Sequence, residues 1–243
     1  MTTDYIIILA IVAALSVIQS IFGMGVLIFG TPTLLLLGYD FITAIGILVP
    51  ASFTISLLQV ATAGRSRASV SRNLYWMSLP GIGIGLWVIQ GSTLGSWLNY
   101  LIGATLLTSA CLRFWGGQQI WLSSALKKHS IAYHLLMGLI HGLTNLGGAL
   151  LAVLATSLHQ EKNAIRYTVA HYYMAFGAIQ ILLIAFLFDE AEALLYNFPM
   201  AGVAAAIYLL VGNRLFQRTA NPVYHHGLTL FTLTYGIAVL FTS

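Results

Sequence analysis

Apolar residues run along this chain in long blocks separated by short polar stretches. The blocks are Tyr5 to about Leu37, Phe41–Ala63, Leu74–Gln90, Leu94–Leu112, Ile131 to about Leu158, Ala164–Phe188, Ala193–Val211 and Val223–Thr242. A membrane-spanning helix needs ~20 apolar residues, and six of the blocks are close to that length. The first and fifth are too long for one crossing, and their pieces are short for two. Each is interrupted, at Gly23-Met24-Gly25 and at Asn145-Leu146-Gly147-Gly148. A polar linker, residues 114–130, divides the blocks into two sets of four.

The two sets resemble each other. An offset of 122 positions sets His141 on Gln19, Asn145 on Gly23, Gly147 on Gly25 and Arg166 on Ala44. An offset of 121 sets Gly202 on Gly81 and Gly212 on Gly91. The order of a broken block, a long one, a glycine-rich one and a last one recurs. Repeat one is read as 5–113 and repeat two as 131–242, within a single domain, 1–243. Internal repeats of this kind, with interrupted apolar segments in corresponding places, are the pattern of secondary transporters.

Composition fixes the solvent. The chain is 59% hydrophobic and 7% charged, against about 25% charged in a soluble domain. It cannot cover a water-facing surface, which predicts an all-α polytopic membrane protein bathed in lipid. The first twenty residues lack a basic leader and an Ala-x-Ala cleavage site, so a retained membrane segment is expected there. The one cysteine, Cys111, excludes an intramolecular disulfide and a cysteine-based metal site, and is expected as a small core residue. The net charge of +4 comes from bases scattered among short loops. It points to juxtamembrane Lys and Arg, not to a nucleic-acid partner.

Charge also decides how the repeats are related. If each half crosses four times, the halves run parallel and the ten bases divide six to four between the two faces. If each broken block dips in and returns, or crosses twice, each half crosses an odd number of times and the halves are inverted. One face then receives Arg65, Arg67, Arg72, Arg113, Lys127, Lys128, Lys162, Arg166, Arg214 and Arg218, with Glu161. The other receives Asp4, Asp40, Asp189, Glu190 and Glu192 and no base. Lys and Arg are retained on the cytoplasmic side. The prediction is therefore two inverted-topology repeats, each with one discontinuous helix pair plus three spanning helices. Both termini are then expected to be extracytoplasmic.

The breaks hold the candidate chemistry. Gln19 and Ser20 lead into the first; His141, Thr144 and Asn145 lead into the second. His134, Gly138, His141 and Asn145 share one helical stripe. A helix that begins in mid-membrane presents unpaired N–H groups and partial positive charge at its first turn. Glycine there lets a ligand approach the backbone, so Gly23, Gly25, Gly147 and Gly148 complete a candidate anion site. The competing reading of the same polar groups is hydrogen-bonded glue between helices. His141 and His171 are candidates for proton coupling, because histidine titrates near neutral pH. Gln59 and Gln180 lie late in equivalent helices, as gate or glue residues. Trp76, Trp97, Trp115 and Trp121 fit interfacial aromatic belts.

No Walker A sequence, His-Glu-x-x-His motif or mid-membrane carboxylate pair is present. Nothing in the chain therefore points to an ATP motor, a metal-dependent enzyme or a bound cofactor.

Gly23-Met24-Gly25 followed by Pro32 resembles the opening motif of the TauE/SafE sulfite exporter family, the four-toluene-sulfonate-uptake-type transporters. Thr144-Asn145-Leu146-Gly147-Gly148 is similar to its second copy, and Pro80, Gly81, Gly85 and Gly91 to the family's third segment. Val26 stands where a further glycine is typical, and Leu154 where a second proline would match Pro32. The resemblance implies a secondary transporter of small sulfur-containing anions such as sulfite, thiosulfate or organosulfonates. The alternatives are a passive anion channel and a non-transporting membrane scaffold. Oligomeric state is not legible.

Overall fold

The computed structural model describes residues 2–64, 68–90, 100–101, 103–105, 107–108, 111 and 119–242. Arg65, Arg67, Gly91, Trp97, Arg113, Trp115 and most of the block Leu94–Leu112 lie outside the described residues. All regular elements among the described residues are helices. We number them α1 (Thr2–Phe22), α2 (Val26–Leu36), α3 (Phe41–Thr62), α4 (Leu79–Gln90), α5 (Gln119–Lys128), α6 (Ser130–Thr144), α7 (Gly147–Leu158), α8 (Lys162–Leu187), α9 (Ala191–Tyr196), α10 (Phe198–Ile207), α11 (Asn213–Arg218) and α12 (Asn221–Thr242). A π-helical turn, Leu74–Ser78, leads into α4, and a second, Tyr208–Gly212, joins α10 to α11.

Four stretches are long and apolar enough to cross a bilayer: Asp4–Phe22, Phe41–Thr62, Lys162–Leu187 and Ala191–Arg218. Both expected interruptions are present. α2 has 11 residues and α7 has 12. At 1.5 Å per residue each reaches about 17 Å, roughly half of a ~30 Å hydrocarbon core.

Buried polar groups are set within an apolar core, and the edge of the molecule is apolar. Gln19, Ser52, Gln59, His141, Asn145 and Gln180 are buried, while Phe186 is 84% and Trp76 72% exposed. Outward-facing apolar rings suit a lipid solvent. α3 and α8 pack together along their length at the centre, and α2, α7 and α10 gather round them. α4 lies against α6 at backbone distance. A Cβ on Gly142 would meet Ile82 O and the Gly85 Cα, and one on Gly138 would meet the backbone of Ser78.

The linker contains α5, which packs against α7 and buries Leu126. One expectation needs correction: Cys111 is exposed, not a core residue. The outer surface of a membrane protein is as apolar as its core, so apolar neighbours do not imply burial.

Candidate functional site

The two breaks are built alike. α1 ends at Phe22, and Gly23 follows at φ +82°, its N–H donating to Gln19 O at 2.8 Å. α6 ends at Thr144, and Asn145 follows at φ +64°, its N–H donating to His141 O at 2.7 Å. One left-handed residue closing back on the fourth residue before it is a helix-terminating motif. Glycine adopts that conformation freely, and asparagine is the side chain that tolerates it next best. Gly25 then stands as N-cap of α2, and Gly147 begins α7.

At the first break, the Gln19 amide is fully engaged. Its Nε2 donates to Ser52 O (2.9 Å), Ser52 Oγ (3.0 Å) and Ser56 Oγ (3.1 Å), and its Oε1 accepts from Val26 N–H at 3.1 Å. Gln19 thus caps the helix that follows it. The carbonyl end of α1 is met as well. Gln59 Nε2 donates to Gln19 O and Ser20 O, and Arg166 Nη1 donates to Ser20 O at 3.2 Å. The Arg166 guanidinium is buried, bonds Asn213 Oδ1 and lies 3.4 Å above the Phe216 ring. Its positive charge faces the negative end of the α1 dipole. The Ser20 hydroxyl donates to Ser16 O, and Gly212 packs directly on the Ser20 side chain.

At the second break the side chains form a chain of hydrogen bonds. Asn145 Nδ2 donates to Thr31 Oγ1 of α2 at 2.8 Å, Gln180 Nε2 donates to Asn145 Oδ1 at 3.0 Å, and Gln180 Oε1 lies 3.2 Å from His141 Nε2. The two broken elements are therefore tied to each other and to α8. The Thr144 hydroxyl donates to Ile140 O and accepts from Leu146 N–H. The Phe176 and Tyr173 rings stand 4.6 and 5.9 Å from the His141 ring. The Tyr173 hydroxyl presses on Gly148 in the first turn of α7; a Cβ there would overlap it.

His171 is half-buried on another face of α8, its Nε2 2.9 Å from Tyr75 Oη and its Nδ1 without a partner. His134 is closed by Ser130 O at Nδ1 and by Tyr172 Oη at Nε2, 2.8 Å away. The structure thus brings His141, Thr144, Asn145, Gly147 and Gly148 together, and separately Gln19, Ser20, Gly23 and Gly25. His171 stands apart from both groups.

Sequence reasoning missed Ser52, Ser56, Thr31, Arg166 and Tyr173 as neighbours of the breaks. A signal for two was present: Arg166, Tyr173 and Gln180 recur every seven residues, one face of a helix. Among the described residues no cluster of three or more His, Cys, Asp or Glu could hold a metal ion. The two breaks thus gather neutral polar side chains beside the first turns of α2 and α7.

A helical bundle with an apolar exterior and several helices long enough to span a bilayer has the architecture of a polytopic membrane protein. The family model described as Sulfite exporter TauE/SafE matches residues 7–239, and the chain belongs to that family. Membership makes it a multi-pass membrane transporter of sulfite or related anions. No curated protein and no solved structure matches the chain.

Proposed function

We propose that the chain is a secondary transporter of a small sulfur oxyanion or organosulfonate, working by alternating access of two inverted repeats and coupled to protons. The substrate sits between the breaks, framed by Gln19, Ser20, Gly23 and Gly25 on one side and His141, Thr144, Asn145, Gly147 and Gly148 on the other. Gln19 contributes by holding α2 in place, since its amide is already bonded. The first turn of α7 contributes backbone donors and dipole. His141 and His171 are the groups assigned to proton coupling, in a bacterial-type inner membrane.

The observation that carries this reading is the Tyr173 hydroxyl, fully buried and without a partner, against the first turn of α7. A buried, unpartnered donor costs about 1–3 kcal/mol, and an anion at this helix end would relieve that cost. The test is a panel of sulfite, thiosulfate, methanesulfonate, acetate and chloride added to the purified protein. A ligand of the native state raises the Tm by mass action. The sulfur oxyanions are expected to raise it and chloride to leave it unchanged. Flux into proteoliposomes should saturate and follow the pH gradient; an ohmic, unsaturable current would make the protein a channel.

A further inference from the structure

The two breaks differ in how their second helices are met. At the first, Gln19 Oε1 accepts from Val26 N–H. The counterparts at the same offset are His141 and Gly148. His141 makes no such bond: its Nδ1 is buried and has no partner. The Tyr173 hydroxyl, also buried and unpartnered, abuts Gly148. The His141 side chain abuts Gly147, where a Cβ would stand 2.5 Å from the His141 Cβ. Consecutive glycines at one helix N-terminus are therefore flanked by two buried polar atoms, His141 Nδ1 and Tyr173 Oη, with no partner.

The hydrogen-bond chain assigns their roles. Gln180 Nε2 is spent on Asn145 Oδ1, so the Gln180 carbonyl oxygen faces His141 Nε2. A carbonyl only accepts, so Nε2 carries the ring proton and Nδ1 of the neutral imidazole is a lone pair. Tyr173 supplies an O–H. The site thus offers one donor and one acceptor, not two donors. Among the described residues no acid or base is in contact with His141 to alter this. α8 presents Tyr173, Phe176 and Gln180, and α7 presents Gly147. α2 presents Thr31 through Asn145, and α4 presents backbone at Ile82, Gly85 and Leu86. His134 and Tyr172, further along α6 and α8, are bonded to each other.

We infer that the species held is a hydrogen oxyanion, carrying one negative charge and one O–H, such as hydrogen sulfite, in preference to the dianion or a sulfonate. This rests on the anion-transport reading above. An anionic oxygen takes the Tyr173 O–H and the N–H groups of Gly147 and Gly148, the Ala149 N–H being closed on Leu146 O, while the cargo's own O–H donates to His141 Nδ1. A helix N-terminus carries only about half a positive charge, which suits a monoanion better than a dianion. The proton then crosses on the cargo, and His141 takes part in proton coupling as the acceptor of the cargo's O–H rather than by titrating itself. A sulfonate has the same charge but no O–H, and leaves Nδ1 unmet.

The test compares sulfite with methanesulfonate on the purified full chain, by Tm shift over a pH series spanning the second ionisation of sulfite. The concentration of total sulfite needed for half stabilisation is expected to rise about tenfold per pH unit above that ionisation, tracking hydrogen sulfite by mass action. Methanesulfonate is expected to bind about tenfold more weakly or worse, the factor for one buried acceptor left unmet, and without pH dependence. Tyr173→Phe should weaken sulfite by about tenfold at every pH. His141→Leu should erase the preference for sulfite over methanesulfonate. If the His141 variant does not fold, the wild-type pH series and Tyr173→Phe still decide the matter. Equal binding of the two anions, or sulfite affinity that ignores pH, overturns the inference and leaves anion transport standing. Stabilisation by neither anion at any pH overturns anion transport itself, and this inference with it.

Discussion

Gln19 and His141 occupy counterpart positions before the two breaks, yet their surroundings differ. Every polar atom of the Gln19 amide is bonded, to Ser52, Ser56 and Val26. Removing it leaves buried groups unmet, each costing about 1–3 kcal/mol. Gln19→Ala is therefore expected to lower the Tm clearly. Asn145→Gly should keep the fold better than its lost bonds suggest. Glycine keeps the left-handed turn, so the helix still ends there, but the bonds to Gln180 and Thr31 vanish. The expected result is a retained fold with a lowered Tm, from the buried groups left unmet, and weaker anion binding, read by titrating sulfite against Tm. Unchanged affinity would reduce Asn145 to helix glue. His171 stands apart from both breaks, bonded to Tyr75. If it handles protons, His171→Gln shifts the pH profile of transport without changing sulfite affinity; an unshifted profile removes it from the proton path. At this scale the sequence showed which residues are polar in mid-span. It did not show who bonds them. Ser52 and Ser56 are unremarkable serines in an apolar block, and only the docking of α3 on α1 turns them toward Gln19.

At the scale of elements, the breaks were legible because glycine and asparagine clusters interrupt otherwise continuous apolar runs. α5 was not, because a short helix in a polar linker leaves little periodic signal, and the two π-helical turns left no recognisable one. The contact between α4 and α6 was half legible. Gly81, Gly85, Gly138 and Gly142 were visible as small residues, but not that they face one another. Their close approach makes a sharp prediction. Gly142→Ala drives a Cβ into Ile82 O and the Gly85 Cα, both backbone atoms that cannot turn aside. Overpacking of this kind costs typically about 1–3 kcal/mol. Gly202 in α10 has nothing within 4 Å of its Cβ position, and Ala is the better helix former by about 1 kcal/mol. Gly142→Ala should lower the Tm or abolish folding, while Gly202→Ala leaves it unchanged or slightly higher. Equal effects from the two would mean that the α4–α6 contact is looser than its geometry.

For the whole molecule, the arrangement we propose turns on where the helix ends gather. Lys162 Nζ donates to Phe216 O at 2.7 Å and Thr219 O at 2.6 Å, and Asn221 Nδ2 donates to Glu161. Asn73, beside Arg72, bonds Ser130, which follows Lys127 and Lys128. Ends that carry bases thus meet ends that carry bases. At the opposite ends, Tyr5 beside Asp4 stacks edge-on with Tyr196 near Glu192, and Gln90 donates to Leu187 O beside Asp189. The Tyr133 hydroxyl, in the first turn of α6, donates to Leu150 O in the first turn of α7 at 2.7 Å. That bond favours an α7 that runs back along α6 over one that continues across. A returning pair gives each half an odd number of crossings, and the halves are then inverted with the bases on one face. Since Lys and Arg stay on the cytoplasmic side, reporter tags fused to either terminus should both read extracytoplasmic. A tag in the linker 114–130 should read cytoplasmic. Termini on opposite sides would require one half to cross an even number of times. Termini both in the cytoplasm would place all ten bases outside, against the orienting rule that keeps Lys and Arg cytoplasmic.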